Sequence, residues 1–132
     1  MFEHKIHVRY AETDQMGVVY YANFFVYFEA ARTSFMRENG YPYSKLEKEG
    51  FFLPVVEAYC EYKSPAHYDE ELTVRLFVKE LKNTSFKIQY DIYREDKLIA
   101  TGYTRHVLTD KNLKPVRIPN KIREIFEKHL IK

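Results

Sequence analysis

The sequence predicts an α+β fold, with a five-stranded antiparallel sheet wrapped round one long helix and a further helix at the C-terminus. Between residues 24 and 35 the apolar side chains recur at helical spacing. Before and after that segment, apolar and polar residues alternate with the period of two that is typical of strands. Strands grouped beside one long helix indicate a helix layer packed against a sheet.

Length and composition bound the kind of protein. A chain of 132 residues, 45% of them hydrophobic, fits one domain with one core, which we assign to residues 1–132. The formal charge is only +2, so we expect no nucleic-acid partner. No apolar run reaches the roughly 18 residues of a membrane helix, and the N-terminus does not resemble a signal peptide. We therefore expect a cytoplasmic protein without a membrane span.

The first half of the chain predicts a strand, a loop and the long helix. The strand covers residues 2–10, and the loop is polar around Glu12–Gly17. The helix is predicted to begin near Val19–Asn23 and to end at Asn39-Gly40, because glycine suits a left-handed cap. Its apolar stripe consists of Phe24, Phe28, Ala31 and Phe35.

The second half predicts four strands and the final helix. The segment 52–63 reads as a strand that Pro54 confines to an edge or an irregular start. The last helix is predicted to begin after Pro119. The other strands, which short turns join as antiparallel hairpins, are predicted around residues 72–78, 86–92 and 97–109.

The sheet also predicts an oligomer. One helix covers only one face of a five-stranded sheet, so the other face is left to solvent. Its residues would form an exposed apolar patch that a second subunit covers, and they include Phe77, Tyr93, Tyr103 and Val107.

Several common catalytic signatures are missing. There is no G-x-S-x-G elbow, no G-x-G-x-x-G loop, no P-loop and no H-E-x-x-H. The histidines are dispersed, and His4 and His7 fall on opposite faces of one strand. Cys60 is the only cysteine, so we expect no intrachain disulfide and no thiolate metal cluster, but a core thiol.

The stretch from Tyr10 to Asn23 is the remaining candidate for chemistry. Here a strand passes into the long helix through a loop with two carboxylates and a glycine. N–H groups at a helix N-terminus can hold a carbonyl oxygen as it becomes an oxyanion, while a carboxylate attacks or activates water. The alternative is that Glu12 and Asp14 only cap the loop and the helix.

The chemistry of the leaving group favours a thioester. Ester and amide hydrolysis usually needs an acid that protonates a poor leaving group. A thiolate leaves readily, because its parent thiol has a pKa near ~8.5. A single carboxylate with an oxyanion hole can therefore suffice for a thioester.

Three runs of sequence carry a family resemblance. They are Arg9–Asn23 (RYAETDQMGVVYYAN), Glu29–Thr33 (EAART) and Tyr62–Asp69 (YKSPAHYD), with Thr84-Ser85-Phe86 as a shorter match. The chain resembles the 4-hydroxybenzoyl-CoA thioesterase and Tol–Pal-associated acyl-CoA thioesterase family. The resemblance implies the hot-dog fold and acyl-CoA hydrolysis. It also implies a homodimer or homotetramer with active sites between subunits, and no metal or cofactor, coenzyme A being part of the substrate.

The resemblance also implies roles for single residues. Asp14 matches the catalytic aspartate, and the backbone N–H of Tyr21 matches the oxyanion donor, although many relatives have histidine at that position. Gly17 allows the loop to approach the thioester closely. Tyr10 and Asn23 match positions that line the site.

The hairpin at residues 82–86 is implied to contact coenzyme A. Lys82 and Ser85 are its candidate phosphate partners, whereas a solvated strand face is the simpler interpretation for Lys63 and Arg105. Two other functions stay open, namely hydrolysis of an acyl-carrier-protein thioester and non-catalytic acyl binding. The acyl group, and the choice between nucleophile and general base for Asp14, also stay open.

Overall fold

The computed structural model describes residues 1–131 and contains the predicted elements. The helices are α1 (Asn23–Glu38), α2 (Tyr43–Lys48) and α3 (Asn120–Lys128). The strands are β1 (Phe2–His7), β2 (Val55–Tyr62), β3 (Glu71–Leu81), β4 (Ser85–Arg94) and β5 (Lys97–Val107). The predicted α+β class, with a five-stranded antiparallel sheet, one long helix and a C-terminal helix, is confirmed. None of the helices in the described part of the chain is long and apolar enough to cross a membrane.

The sheet has the order β1-β3-β4-β5-β2, and every neighbouring pair is antiparallel. Strand β2, which follows Pro54, forms one edge and carries a register shift near its start. This is the edge position with an irregular start that the proline predicts. Strand β1 forms the other edge.

Helix α1 packs across one face of the sheet through the predicted stripe. Phe24, Phe28, Ala31 and Phe35 are all buried. The Phe28 ring stacks on Tyr90 of β4 at 4.3 Å between centroids. It lies so close to β5 that a Cβ at Gly102 would meet the ring at 2.9 Å. Glycine at this position therefore allows the helix to sit against the sheet.

The outer face of the sheet differs from its prediction. Phe77, Tyr93 and Tyr103 are half-buried within the single chain. The Arg75 guanidinium lies 4.4 Å from the Tyr93 ring centre, and the Lys87 ammonium 4.1 Å from that of Tyr103. The chain's own cations therefore cover part of the predicted apolar patch. Among the strands, large exposed apolar side chains concentrate on β2 instead, and they are Val55, Val56, Tyr59 and Tyr62.

Candidate active site

The loop between β1 and α1 holds Asp14 in a tight turn. The Gly17 N–H donates to the Asp14 carbonyl at 3.0 Å, and the Met16 N–H donates to Asp14 Oδ1 at 2.8 Å. The Asp14 N–H donates to the Val18 carbonyl at 2.9 Å. Gly17 has φ +79°, a left-handed conformation that glycine adopts without strain. Among residues 1–131, no group donates to Asp14 Oδ2, so this oxygen is available to a substrate or a water.

Glu12, two residues earlier, has a different environment. Its side chain is buried, and Oε1 accepts hydrogen bonds from the Arg9 N–H at 2.8 Å and the Tyr27 hydroxyl at 3.0 Å. Oε2 accepts from Arg9 Nε at 3.3 Å. Burial, followed by the hydrogen bond to Glu12, raises the pKa of Tyr27, so its hydroxyl stays a donor. The Glu12 carboxylate thus holds the loop against α1.

The N–H groups of Tyr21 and Ala22, at the start of α1, have no acceptor among residues 1–131. The Tyr20 N–H donates to the Glu12 carbonyl, and the Asn23 N–H donates to the Tyr20 carbonyl, both at 2.9 Å. Unpaired N–H groups such as those of Tyr21 and Ala22 are what a helix N-terminus provides, and Tyr21 is the residue that the family resemblance implies as the oxyanion donor.

Asp14 and Tyr21 line one cavity of about 380 Å³. The end of β2 and the residues after it form the opposite wall, with Tyr62, Lys63 and Ser64. The Tyr62 hydroxyl donates to the Tyr21 carbonyl at 3.2 Å and thereby holds the peptide that follows the Tyr21 N–H. The remaining lining is Met16, Val18, Val19, Phe24 and Pro65.

The wall around Tyr62 and Ser64 was missed as part of the site. Both residues belong to the run that carries the family resemblance, but no sequence pattern indicates a physical reason for a role. They lie about forty residues after the loop. The pairing of β2 with β5 and the hydrogen bond from the Val19 N–H to the Ala66 carbonyl at 2.8 Å bring them there. A polar Lys-Ser-Pro turn at the end of an edge strand was the available signal.

Tyr10 and Asn23 do not line this cavity in the single chain. The prediction that the first strand reaches residue 10 is wrong, because β1 ends at His7 and Tyr10 begins a 3₁₀ turn. The Tyr10 ring is exposed and makes an edge contact with Tyr68 at 5.7 Å. The Asn23 side chain donates to the Glu12 carbonyl at 2.9 Å, which ties the loop to the helix. Their predicted part in substrate binding stays a prediction.

Lys82 and Ser85 lie at the other end of the sheet. They close the turn between β3 and β4, where the Lys82 N–H donates to the Ser85 carbonyl at 2.8 Å. Strand β3 begins beside the Asp14 loop, because the Val8 N–H in that loop donates to the Glu70 carbonyl, just before the strand. The strand then runs over Glu71–Leu81 to the turn. At about 3.3 Å per residue, the strand separates the turn from the loop by roughly 30 Å. One chain therefore does not bring Lys82 and Asp14 together.

Comparison with known proteins assigns the family. The model described as the Thioesterase-like superfamily matches residues 8–126. The chain belongs to this superfamily. Its match covers the Asp14 loop, α1 and all strands except β1. The predicted resemblance to acyl-CoA thioesterases of the hot-dog fold is confirmed at this level, and the chain is a thioester hydrolase by family.

Individual known proteins are similar to this chain over most of their length. YneP of Bacillus subtilis (strain 168), provisionally named an acyl-CoA thioesterase, is 38% identical over 115 residues, which cover 86% of this chain and 83% of YneP. The crystal structure of a hypothetical protein from Aquifex aeolicus matches with a TM-score of 0.92 at 38% identity and covers 96% of this chain and 99% of that one. The DHNA-CoA thioesterase of Staphylococcus aureus matches with a TM-score of 0.89 at 30% identity, over 96% of this chain and 89% of that one.

The thiol of this thioesterase is unsuited to nucleophilic attack. Cys60 is half-buried on β2, and burial raises its pKa to about 11, so the thiolate is scarce at neutral pH. Within residues 1–131, no three His, Cys, Asp or Glu side chains are grouped as metal ligands. The cavity brings the Asp14 carboxylate and Tyr21 together, with the polar side chains of Tyr62, Lys63 and Ser64 in the same lining.

Proposed function

We propose that the chain hydrolyses acyl-CoA thioesters to a free acid and coenzyme A, with Asp14 as the catalytic carboxylate and the Tyr21 N–H as the oxyanion donor. One observation carries the proposal. A carboxylate with a free oxygen and an N–H without an intrachain acceptor line the same cavity of about 380 Å³. A volume in the range of roughly 300–1,000 Å³ suits an organic ligand.

The proposed chemistry balances without an added acid. In the general-base route, Asp14 takes a proton from water, the hydroxide adds to the carbonyl carbon, and the Tyr21 N–H stabilises the oxyanion. Collapse breaks the carbon–sulfur bond and expels the thiolate, which the proton on Asp14 can neutralise. In the nucleophilic route, Asp14 itself adds and expels the thiolate, and water then cleaves the mixed anhydride. The geometry is compatible with both routes.

The substrate class follows from the relatives. YneP is named for acyl-CoA and the Staphylococcus aureus enzyme for DHNA-CoA, which supports a coenzyme A thioester here. The identity of the acyl group stays open. An acyl-carrier-protein thioester is the alternative within the same chemistry, and non-catalytic acyl binding is the alternative outside it. The free oxygen of Asp14 speaks against mere binding.

The proposal includes a dimer that pairs through the β2 edges. Strand β2 carries the exposed charges Glu57 and Glu61 but also exposes Val56 by 56% and Tyr59 by 48%, whereas an unpaired edge strand is normally protected by charge. The β1 edge has that protection, with exposed Glu3 and Lys5. Lys5 pairs with Glu71 at 3.5 Å. The apolar edge is therefore the one that we expect a second copy to cover.

Such pairing would complete the site. The Tyr62 end of β2 lines the Asp14 cavity, whereas its Val55 end pairs with His106, next to the strand start at Ser85. When two β2 strands pair antiparallel about a twofold axis, the Val55 end of one lies beside the Tyr62 end of the other. The second chain then brings its turn at residues 82–85 towards Asp14. This supports the predicted roles of Lys82 and Ser85 in contacting coenzyme A.

Hydrolysis of a panel of thioesters, followed by detection of the released thiol, tests the function. Short-chain, long-chain and aromatic acyl-CoAs are compared with the same acyl groups on acyl carrier protein. Turnover of the CoA esters with higher kcat/KM than the carrier-protein esters is expected. A higher kcat/KM for the carrier-protein esters would make them, and not the acyl-CoA esters, the substrate class. Saturable binding without any thiol release would overturn hydrolysis.

Sedimentation velocity tests the assembly. The wild type is expected to sediment as a dimer or tetramer at micromolar concentration, and Val56→Lys, which puts a charge on the β2 edge, is expected to dissociate it. Lys5→Ala on the β1 edge is the matched control and should leave the assembly intact. A fully active monomer of 15.9 kDa would contradict a site shared between subunits.

A further inference from the structure

A second cavity lies between α1, α2 and the segment that leads into β2. It has a volume of about 210 Å³ and is separate from the Asp14 cavity in its lining. Its walls are apolar at Leu46, Phe51, Phe52 and Leu53. Arg32 of α1 contributes the cation, and only 8% of this residue is exposed.

The Arg32 guanidinium has no carboxylate partner. Nε donates to the Tyr43 hydroxyl at 2.9 Å, and Nη1 donates to the Tyr90 hydroxyl at 3.0 Å. Within residues 1–131, no Asp or Glu oxygen lies within 4.0 Å of the group, and Nη2 has no acceptor. A buried cation usually has an anionic partner, because desolvation costs several kcal/mol per ion. This cation lacks one.

The hydroxyl network behind Arg32 is neutral throughout. Because guanidinium only donates, the Tyr90 hydroxyl accepts from Arg32 and donates a hydrogen bond to Thr104 Oγ1 at 2.7 Å. Thr104 in turn donates to His106 Nε2 at 2.8 Å, and this nitrogen must be unprotonated to accept. Burial, together with the charge of Arg32, lowers the pKa of His106 to about 3, so the imidazole is neutral. The network solvates the cation but does not neutralise it.

We propose that this cavity binds a small organic monocarboxylate, whose carboxylate pairs with Arg32 and whose apolar body lies against Leu46 and Phe51. Guanidinium is the side chain that best matches a carboxylate, through parallel N–H donors. The cavity of about 210 Å³ is smaller than the pockets of drug-sized ligands, which limits the ligand to the size of benzoate or hexanoate.

The rim of the cavity restricts the charge of the ligand. Glu29 and Glu47 line the opening and are exposed. Their carboxylates are screened by solvent, whereas the interaction with the buried Arg32 is screened much less. Arg32 can therefore pair with a single negative charge, whereas a phosphate dianion would leave its second charge without a cation against apolar walls. This favours a monocarboxylate over a phosphate ligand.

NMR titration of the full-length protein with sodium benzoate tests the proposal. The Nε–H signal of Arg32, assigned by its loss in Arg32→Met, is expected to shift with saturation, while uncharged benzamide of the same shape leaves it in place. In Arg32→Met, benzoate affinity by calorimetry should fall roughly 10- to 100-fold, the value of a lost hydrogen bond to a charged group. Inorganic phosphate should compete weakly or not at all.

Two further variants keep the test decisive if Arg32→Met does not fold. Glu29→Gln and Glu47→Gln each remove an exposed rim charge and should tighten benzoate binding by about 1.5- to 5-fold. Asp14→Asn reports on the other cavity and should leave the Arg32 signal and its titration unchanged. Absence of a saturable shift at Arg32 would overturn the proposal. So would equal binding of benzamide, or a benzoate affinity that responds to Asp14→Asn but not to the rim variants.

Discussion

The loop between β1 and α1 has two halves that use similar residues differently. In residues 9–13, Glu12 is buried and accepts three hydrogen bonds from Arg9 and Tyr27. In residues 14–22, the Asp14 carboxylate accepts one bond from the backbone and keeps an oxygen free. The first half is closed on itself, whereas the second half opens into the cavity.

The difference shows what distinguishes a structural carboxylate from a candidate catalyst. A carboxylate whose oxygens are already bonded cannot approach a substrate without breaking those bonds. A carboxylate that a short turn fixes, with one oxygen free, is positioned before the substrate arrives. The Glu12 carbonyl also accepts a hydrogen bond from the Tyr20 N–H. The closed half therefore fixes the backbone next to the Tyr21 N–H. In this way the closed half holds the loop in place, and the open half carries the candidate catalytic groups.

Asp14→Asn is expected to give the largest effect. The amide keeps the shape and can still accept the Met16 N–H, but it loses both basicity and nucleophilicity. The kcat should fall by at least the ~10²–10⁴-fold typical of a lost general base, with little change in KM. Steady-state hydrolysis of the best acyl-CoA measures it. Activity close to wild type would assign Asp14 to loop capping only.

Single-turnover hydrolysis in ¹⁸O-labelled water separates the two routes for Asp14. In the nucleophilic route, water opens the mixed anhydride and label enters the Asp14 carboxylate. In the general-base route, label appears only in the product acid. Mass analysis of the peptide that contains Asp14 reads the outcome directly.

Tyr21→Pro tests the open half at the oxyanion donor. Proline removes the backbone N–H, and loss of one oxyanion donor should lower kcat by roughly 10²–10³-fold. Tyr21→Phe is the matched control, because it keeps the N–H and should keep most of kcat. Circular dichroism must first show that the proline variant is folded. Equal losses in both variants would assign a role to the Tyr21 hydroxyl.

Glu12→Gln tests the closed half and should act on stability. The glutamine side chain lacks the charge of Glu12. Its NH₂ group would face a donor of Arg9 or Tyr27, and two donors cannot form a hydrogen bond with each other. We expect the free energy of unfolding to fall by about 1–3 kcal/mol, measured by urea denaturation. Asp14→Asn should lose at most about 1 kcal/mol in the same experiment. A large loss of kcat in Glu12→Gln at unchanged stability would assign the catalytic role to Glu12 and the structural role to Asp14.

The sequence predicted the elements of the fold because each depends on local pattern. The stripe at Phe24, Phe28 and Phe35, the end of α1 next to Asn39-Gly40 and the edge position after Pro54 are all confirmed. These features follow from periodicity and backbone freedom, which a sequence displays directly.

The parts that failed depend on contacts between distant residues. The prediction of an apolar outer face missed the cations Arg75 and Lys87, because their positions over the rings depend on the strand register. The wall of the cavity at Tyr62 depends on the pairing of β2 with β5. For Asp14, the residues alone left two carboxylates as candidates, and the family resemblance favoured one. Only the hydrogen bonds of Glu12 give a physical reason for that choice.

Gly17 belongs to the open half of the loop, and a glycine at this position has two explanations. Its φ of +79° favours glycine, and a Cβ there would meet nothing within 4 Å of the chain. Alanine in this conformation costs roughly 1–2 kcal/mol of stability, whereas asparagine tolerates it better. We therefore expect Gly17→Ala to be less stable than Gly17→Asn in urea denaturation.

The kinetics of the same pair decide which explanation governs catalysis. If the thioester approaches the loop closely at Gly17, any side chain there obstructs it. Both variants should then raise KM by about fivefold, the equivalent of roughly 1 kcal/mol. Asparagine should obstruct the thioester at least as much as alanine does, so the KM of Gly17→Asn should be at least as high as that of Gly17→Ala. Gly17→Asn should nevertheless be the more stable of the two variants. A Gly17→Asn enzyme with wild-type KM would mean that glycine serves only the turn that fixes Asp14.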